Sequence, residues 1–182
     1  MTARQIPAEV PAGTGPAGEN GGSPKRPEES IQIVEFLLGD EHFAIDLFDI
    51  KEVVEYTTIT KLPNVSACVK GIIDLRGEIT TIIDIKHRLK ITETSTVAAE
   101  SSRIIVLDNT ITGTKIGILV DDVTSVSTFE AGQVDYTSVS ASNKDTAIIG
   151  IIKRKNKVNG KETNELIIWI SLEKILEGIV SV

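Results

Sequence analysis

VKGIIDLRGEITTIIDI, residues 69–85, is the stretch on which the reading of the fold turns. It reads as two strands around a tight turn. Val69, Ile72, Ile73 and Leu75 lead in, and Ile79, Ile82, Ile83 and Ile85 lead out. β-branched residues at this density favour a pleated, half-buried surface. Gly77 supplies the backbone freedom that a tight connection needs. Arg76 and Glu78 therefore stand at the tip of a stiff apolar hairpin. Such an arginine is either exposed merely because it is a turn residue, or placed there to touch a partner.

Upstream, IQIVEFLLGDEHFAIDL (31–47) is a second hairpin signal. Val34, Phe36 and Leu38 alternate on one face, Gly39, Asp40 and Glu41 turn, and Phe43 and Ile45 return. The connector DLFDIKEVVEY fits a short helix through Leu47, Ile50 and Val54, or a bent strand through Ile50, Val53 and Val54. TTITKLPNVSA is an extended edge segment in which Pro63 stops pairing and keeps Leu62 out of a helix.

Downstream, DIKHRLKI closes the hairpin with one helical turn, and the polar stretch 92–102 is a loop. SRIIVLDNTITGTKIGILVDDV then forms another hairpin, turning around Asn109–Gly113. A weakly periodic segment follows, with a turn near Gly132. IIGIIKRKNKVNGKETNELIIWI is a hairpin with a long basic loop in which Asn159-Gly160 signals a turn. Leu172, Ile175, Leu176 and Ile179 carry the spacing of a short amphipathic helix.

An internal repeat organises these pieces. Ala44-Ile45-x-Leu47-x-Asp49-Ile50-x-x-Val53 aligns with Gly117-Ile118-x-Val120-x-Asp122-Val123-x-x-Val126. Val69-Lys70-Gly71-Ile72-Ile73 aligns with Ile148-Ile149-Gly150-Ile151-Ile152. Ile82–Ile85 aligns more loosely with Ile168–Ser171. Each half runs hairpin, connector, edge segment, hairpin, terminal turn. The fold class expected is all-β: two small barrels packed together, the second starting at about residue 102. A groove between them is a natural binding place.

Composition bounds the function. Five of the six prolines and five of the fourteen glycines lie before residue 28. Residues 1–30 hold too few large apolar groups to offset the entropy of ordering, and are expected to be a disordered tail. They lack the apolar run of a secretory signal. The remainder, 31–182, is long enough to bury roughly 70% of its unfolded surface. No apolar stretch reaches the ~20 residues of a membrane span. Cys68 is the sole cysteine, which excludes an internal disulfide and a multi-thiolate zinc site and fits a reducing cytoplasm. The net charge is −7, most of it outside the tail, which argues against a nucleic-acid binder.

Few motifs carry chemistry. GTGPAG (13–18) matches a phosphate-binding pattern by letter, but has no strand before it, no helix after it, and a proline inside. Asn64-Val65-Ser66 is a glycosylation sequon with no export signal to give it meaning. His42 and His87 are the only histidines and read as solvated surface residues, with no metal or triad spacing. Cys68 reads as a small buried or edge residue. Asp121 and Asp122 point to opposite faces of a strand, so they do not share a site, and read as a solvated strand end. The run Lys153–Lys157 reads first as a solvated loop, second as a contact to an acidic protein, third as a nucleic-acid contact lacking a stacking platform.

The runs FAIDLFDIKEVVEYTTITKLPNVSACVKGIIDLRGEITTIIDIKHRL, KIGILVDDVTSV and IIGIIKR…LIIWISLEKIL resemble the CheW family of prokaryotic chemotaxis coupling proteins over residues 31–178. VKGIIDLRGEI is the most specific piece, close to that family's V-K-G-V-I-N-L-R-G-E-I. Asp74 departs from the usual asparagine, Asp122 stands where glycine is frequent, and the long polar tail is a third departure. The resemblance implies two five-stranded SH3-like barrels around a shared core, with short helices at the connector and C-terminus. It implies an adaptor with no catalysis and no cofactor or metal, cytoplasmic and recruited to membrane receptor arrays without inserting in the membrane. Its partners would be the histidine kinase CheA, through that kinase's CheW-like regulatory domain, and the helical-hairpin tip of methyl-accepting receptors. The receptor-binding residues implied are Ile50, Glu52, Val53, Gly71, Arg76 and Gly117; the kinase-binding residues are Ile59, Thr60 and Lys70.

Three rivals stand beside this reading. One is a piece of a larger signalling enzyme, such as the CheW-like domain of the kinase or of a CheW–receiver fusion, or a CheW-like regulatory module of another two-component system; the chain starts at Met1 and shows no ATP-binding domain, phosphotransfer helix or receiver pocket, which favours a free-standing adaptor. Another is a β-barrel nucleic-acid binder using Lys153–Lys157. The third is a small hydrolase, against which the lack of a nucleophile–base pair argues.

Overall fold

The computed structural model describes residues 30–91, 101–136, 147–158 and 161–179. The expected tail, except Ser30, lies outside the described residues, as do the GTGPAG match, most of the 92–102 loop and the Asn159-Gly160 turn. Ser30 already belongs to the first strand.

Eleven strands form among the described residues: β1 (Ser30–Leu38), β2 (Glu41–Asp46), β3 (Ile50–Glu55), β4 (Val69–Leu75), β5 (Glu78–Asp84), β6 (Arg103–Leu107), β7 (Ile116–Val120), β8 (Asp122–Glu130), β9 (Val134–Asp135), β10 (Ile148–Val158) and β11 (Lys161–Ile170). Three short helices accompany them: α1 (Ile85–Leu89), α2 (Asn109–Thr112) and α3 (Leu172–Leu176). The ambiguous connector resolves into a 3-10 turn, Leu47–Asp49, followed by β3.

The strands make two sheets. One runs β8-β1-β2-β11-β10-β9 and the other β3-β6-β7-β5-β4. The expected division near residue 102 is not where the sheets divide. The first hairpin, β1–β2, pairs with strands of the second half, and the hairpin β6–β7 pairs with β3–β5 of the first half. The halves have exchanged their leading hairpins. Parallel pairings join each exchanged hairpin to its host sheet: β11 with β2 through Ile167–Trp169 and His42–Ala44, and β5 with β7 through Thr81–Asp84 and Ile116–Leu119.

The sequence repeat is visible in this arrangement. The aligned segments 44–53 and 117–126 are the two crossings between sheets, β2 to β3 and β7 to β8. Each crossing strand carries a bulge, at Lys51 opposite Ile50/Glu52 pairing and at Thr124 opposite Glu35/Phe36 pairing. Such a bulge adds twist where a strand changes environment. The aligned glycines Gly71 and Gly150 mark register shifts in β4 and β10. At the ends of β5 and β11, Asp84 and Ser171 accept the backbone N–H of Lys86 and Lys174 and so start α1 and α3.

Packing follows from two buried faces per central strand. Val34, Phe36, Phe43, Ile45, Ile83, Ile105, Ile118 and Val120 face the core shared by the sheets, which α3 closes with Leu172, Ile175 and Leu176. Ile33, Ala44, Phe129, Ile152, Ile167 and Trp169 fill the barrel of the first sheet. Ile73, Ile82, Ile104 and Val106 fill that of the second. This is the all-β, two-barrel architecture expected, with a two-residue sixth strand, β9, in one sheet.

The basic run departs from expectation. Lys153–Lys157 is strand, not loop, because β10 and β11 stay paired out to Val158 and Lys161.

Candidate functional site

The β4–β5 connection is a two-residue turn. Leu75 pairs with Glu78, and Arg76 (φ 55°) and Gly77 (φ 82°) both take positive φ. That conformation matches the twist of a hairpin and selects glycine at the second position. Asp74 Oδ1 accepts the Gly77 N–H at 2.7 Å, locking the turn. A carboxylate oxygen does this as an amide oxygen would, so the Asp74 departure retains the contact.

Arg76 projects from the turn with 75% of its side chain exposed, against 22% for Glu52. Its Nη2 donates to Glu52 Oε2 at 2.8 Å and its Nη1 to Oε1 at 3.4 Å. Glu52 sits on β3 and Arg76 beside β4, the two edges of one sheet. The pair thus spans the seam where that sheet closes on itself. An exposed ion pair adds about 1 kcal/mol or less to stability. Its effect is to fix where a guanidinium edge is offered. Val53 and Ile79 nearby in sequence are exposed apolar residues, and Lys115 pairs with Glu78 across the base of the turn.

The other candidate residues fall into different settings. Ile50 is half-buried against the shared core at the start of β3. Gly71 is buried, with φ 147°, and a Cβ there would lie 2.2 Å from the Thr60 carbonyl oxygen. Gly117 is buried in β7, where a Cβ would lie 2.7 Å from Ile104 Cγ2 and 2.9 Å from Ile82 Cδ1. Neither glycine offers surface; each permits close packing beneath one. At Gly71 the result is a bridge, with Thr60 N–H to Ile72 O and Ile72 N–H to Thr60 O both 2.8 Å. That bridge sets Ile59 against the barrel core and leaves Thr60 and Lys70 exposed on the sheet edge. Lys70 Nζ is 2.9 Å from Asp84 Oδ2.

Glu52 and Arg76 are therefore joined, with Val53 the next residue along β3, where alternation turns it to the other face. Thr60 bridges Ile72 on the strand that carries Lys70, and the two glycines are buried. Neither described cavity is lined by any of them.

Sequence reading missed two polar clusters. Asp121 is buried, not a solvated strand end. Its Oδ1 is 2.6 Å from Lys86 Nζ and its Oδ2 accepts the Gly39 N–H at 2.6 Å. It ties the β1–β2 turn to α1 at the joint between barrels, while Asp122 is exposed as the alternation required. The doublet's alternation carried the signal, since one of the two had to face inward.

Glu35 is the second. It is fully buried on β1, its Oε1 accepting from Arg154 Nη1 at 2.8 Å and Ser127 Oγ at 2.5 Å. Arg154 also donates to Glu165 Oε2 at 2.7 and 2.9 Å. Burial alone would lower the Arg154 pKa; the hydrogen bonds and charges of Glu165 and Glu35 outweigh it and raise it. His42 is correspondingly half-buried in β2, its Nδ1 3.3 Å from Glu165 Oε1, rather than a solvated turn residue. His87 is exposed, as expected, with its Nδ1 3.5 Å from the sulfur of buried Cys68.

Two carboxylates are shifted near the crossing from β2 to β3. Burial, then Asp46 and Glu173, raise the Asp49 pKa. The backbone and hydroxyl of Thr110 lower that of Asp108. Among the described residues no group of three His, Cys, Asp or Glu side chains could hold a metal ion, and no helix is long and apolar enough to cross a membrane.

Residues 32–180 match the family model described as CheW-like domain. The chain is 31% identical over 101 residues to the chemotaxis protein CheW of Treponema pallidum, an alignment spanning 54% of this chain and 58% of that one. It is 27% identical over 151 residues to that of Thermotoga maritima, spanning 83% and 91%. The crystal structure of the scaffolding protein TtCheW from Thermoanaerobacter tengcongensis superposes with a TM-score of 0.66 at 31% identity, covering 84% of this chain and 97% of that one.

Proposed function

The chain belongs to the CheW-like domain family, and from that membership we propose that it is a non-catalytic adaptor coupling methyl-accepting receptors to the histidine kinase CheA. Its role is that of a chemotaxis scaffold. The observation that carries this is the agreement of family, sequence relatives and fold over nearly the whole described chain. In this reading the protein works in the cytoplasm and is held at membrane receptor arrays by its partners.

The receptor face would centre on Glu52, Val53 and Arg76, with Ile50 at its buried margin and Gly71 and Gly117 shaping it from below. A receptor tip is a helical hairpin, and a helix docking there would place apolar side chains on Val53 and a carboxylate or carbonyl against the Arg76 fork. The kinase face would be the edge bearing Ile59, Thr60 and Lys70. Weak single contacts suffice when many repeat in an array, because linked sites raise effective concentration. The nucleic-acid alternative loses support from the charge partners of the basic strand: Lys153 is paired with Asp135, and Arg154 with Glu35 and Glu165.

The experiment is a reconstituted assay of kinase activity with receptor and kinase, with and without this protein. The adaptor reading expects receptor control of the kinase only when the chain is present. Equal control in its absence would overturn it.

A further inference from the structure

Two cavities flank the β1–β2 turn, of 580 Å³ and 490 Å³. Both are bounded by Asp40, Glu41 and Ile168, so they are two lobes of one groove. Ile151 and Leu166 floor the first lobe, and Ile148 and Leu89 the second. Leu166 is 55% exposed, an aliphatic side chain left open to water. The groove runs from the β10–β11 hairpin to the end of α1 and includes none of Glu52, Arg76, Thr60 or Lys70.

Charge at the waist of the groove is one-sided. Asp40 and Glu41 are exposed, and among the described residues no cation forms an ion pair with either. Lys153 lines the first lobe but is held 3.0 Å from Asp135, and Lys90 stands in the second. Asp40 and Glu41 lie between lobes that each present aliphatic side chains beside charged ones, Asp135, Lys153 and Glu165 in the first and Lys90 in the second, and the pair complements a cation flanked on both sides by aliphatic groups.

We propose that this groove binds a basic amphipathic segment of a partner protein. A lysine or arginine would sit between Asp40 and Glu41, and the aliphatic side chains on either side of it would enter the Ile151–Leu166 and Ile148–Leu89 lobes. The surface is separate from those assigned to receptor and kinase, and the proposal stands whether or not the adaptor reading does.

The test titrates the full chain, with isoleucine and leucine methyls labelled for NMR, with acetyl-Leu-Lys-Leu-Leu-Lys-Leu-amide and with the same peptide carrying glutamine for lysine. The expected result is saturable shifts at Ile151, Ile168 and Leu166. Affinity should be weaker by about fivefold or more for the glutamine peptide and for the Asp40→Asn/Glu41→Gln double variant, since each exposed charge contact contributes up to about fivefold. Shifts that do not saturate, that centre elsewhere, or that are equal for both peptides overturn the proposal. Concentration-dependent shifts at the same methyls without peptide would assign the groove to a second copy of this chain and overturn it equally. The peptide comparison is made on the unaltered chain and does not depend on how the variant folds.

Discussion

The Arg76 guanidinium closes on the Glu52 carboxylate at 2.8 and 3.4 Å, joining the turn after β4 to β3 across the seam of one barrel. Residues 24 apart in sequence thereby become one polar fork on the surface. Arg76→Ala is expected to cost under about 1 kcal/mol in urea unfolding, because the pair is solvated. If Arg76 makes the proposed receptor contact, Arg76→Glu should weaken co-sedimentation with receptor tips while the thermal melt stays cooperative. The swap Glu52→Arg/Arg76→Glu restores the ion pair and its stability, but should leave binding weak. Full recovery of binding by the swap would show that the pair, rather than the arginine, makes the contact.

Gly71 and Gly150 occupy equivalent bulges with different neighbours. A methyl group at Gly71 meets backbone, the Thr60 carbonyl at 2.2 Å, and φ is 147°. At Gly150 it meets the Val134 Cγ1 at 2.6 Å, a buried side chain rather than backbone, and Gly150 is not among the glycines with positive φ. Gly71→Ala should therefore destabilise by about 2–3 kcal/mol or more, and Gly150→Ala by less. Chemical denaturation of both variants checks the order. Amide exchange at Thr60 and Ile72 should rise only in the first.

Asp121 holds Lys86 and the Gly39 amide from a site only 10% exposed. Asp121→Ala leaves an ammonium and a backbone donor without their partner, with an expected loss of about 3–5 kcal/mol. Asp121→Asn keeps an acceptor for Gly39 and should lose less. Equal midpoints for the two variants in urea would contradict the importance of the Gly39 hydrogen bond.

The paired shifts of Asp49 and Asp108 predict opposite pH dependence. The Asp49 pKa is raised above the usual 3.8, so ionising it costs more in the folded chain than in the unfolded one. Its penalty is absent below 3.8 and complete above its raised value. Asp49→Asn should accordingly raise the Tm at pH 7, worth no more than about 1 kcal/mol, with the gap closing on acidification. The Asp108 pKa is lowered, so its contribution is present above 3.8 and lost as pH falls through the lowered value. Asp108→Asn should lower the Tm at pH 7 and not at the acid end. Melts across this range test both signs.

The exchanged hairpins predict how the chain responds to being cut. Fragments divided within residues 92–100 separate β1–β2 from the sheet that hosts it and β6–β7 from its own. Neither fragment should show cooperative unfolding alone, and mixing them should restore it. An independently folded fragment, seen by far-UV circular dichroism, would contradict the interleaved topology.

Local order was legible because it is encoded locally. Alternating Val34, Phe36 and Leu38 gave a strand, Gly77 gave a turn, and Leu172, Ile175 and Leu176 gave a helix face. The repeat disclosed two equivalent β units, and the family likeness of VKGIIDLRGEI pointed to Arg76. The turn at Arg76 could be read because it depends on Gly77 and its immediate backbone.

Misreadings arose where a residue's surroundings come from distant chain. Asp121 looked solvated because Lys86 and Gly39 are far from it in sequence. Glu35 was not singled out, because only the docked fold shows that β1 lies between β8 and β2 and buries both faces. Lys153–Lys157 looked like a loop because a charged stretch resembles one, yet Lys153 and Arg154 find carboxylate partners across strands.

By itself, then, the sequence determined most of the strands and turns, the twofold repeat and the family, while β8 lies in a segment that reads only as weakly periodic and β3 in one that fits helix or strand alike. Tertiary structure alone decided which hairpin joins which sheet. Backbone hydrogen bonds are the same for every residue type, so two similar hairpins can dock on either of two similar sheets with nearly the same local chemistry. The choice is made by contacts that exist only after docking: the Asp121–Lys86 joint, the Glu35–Arg154 pair, and the shared core into which β1, β2, β6 and β7 all send side chains.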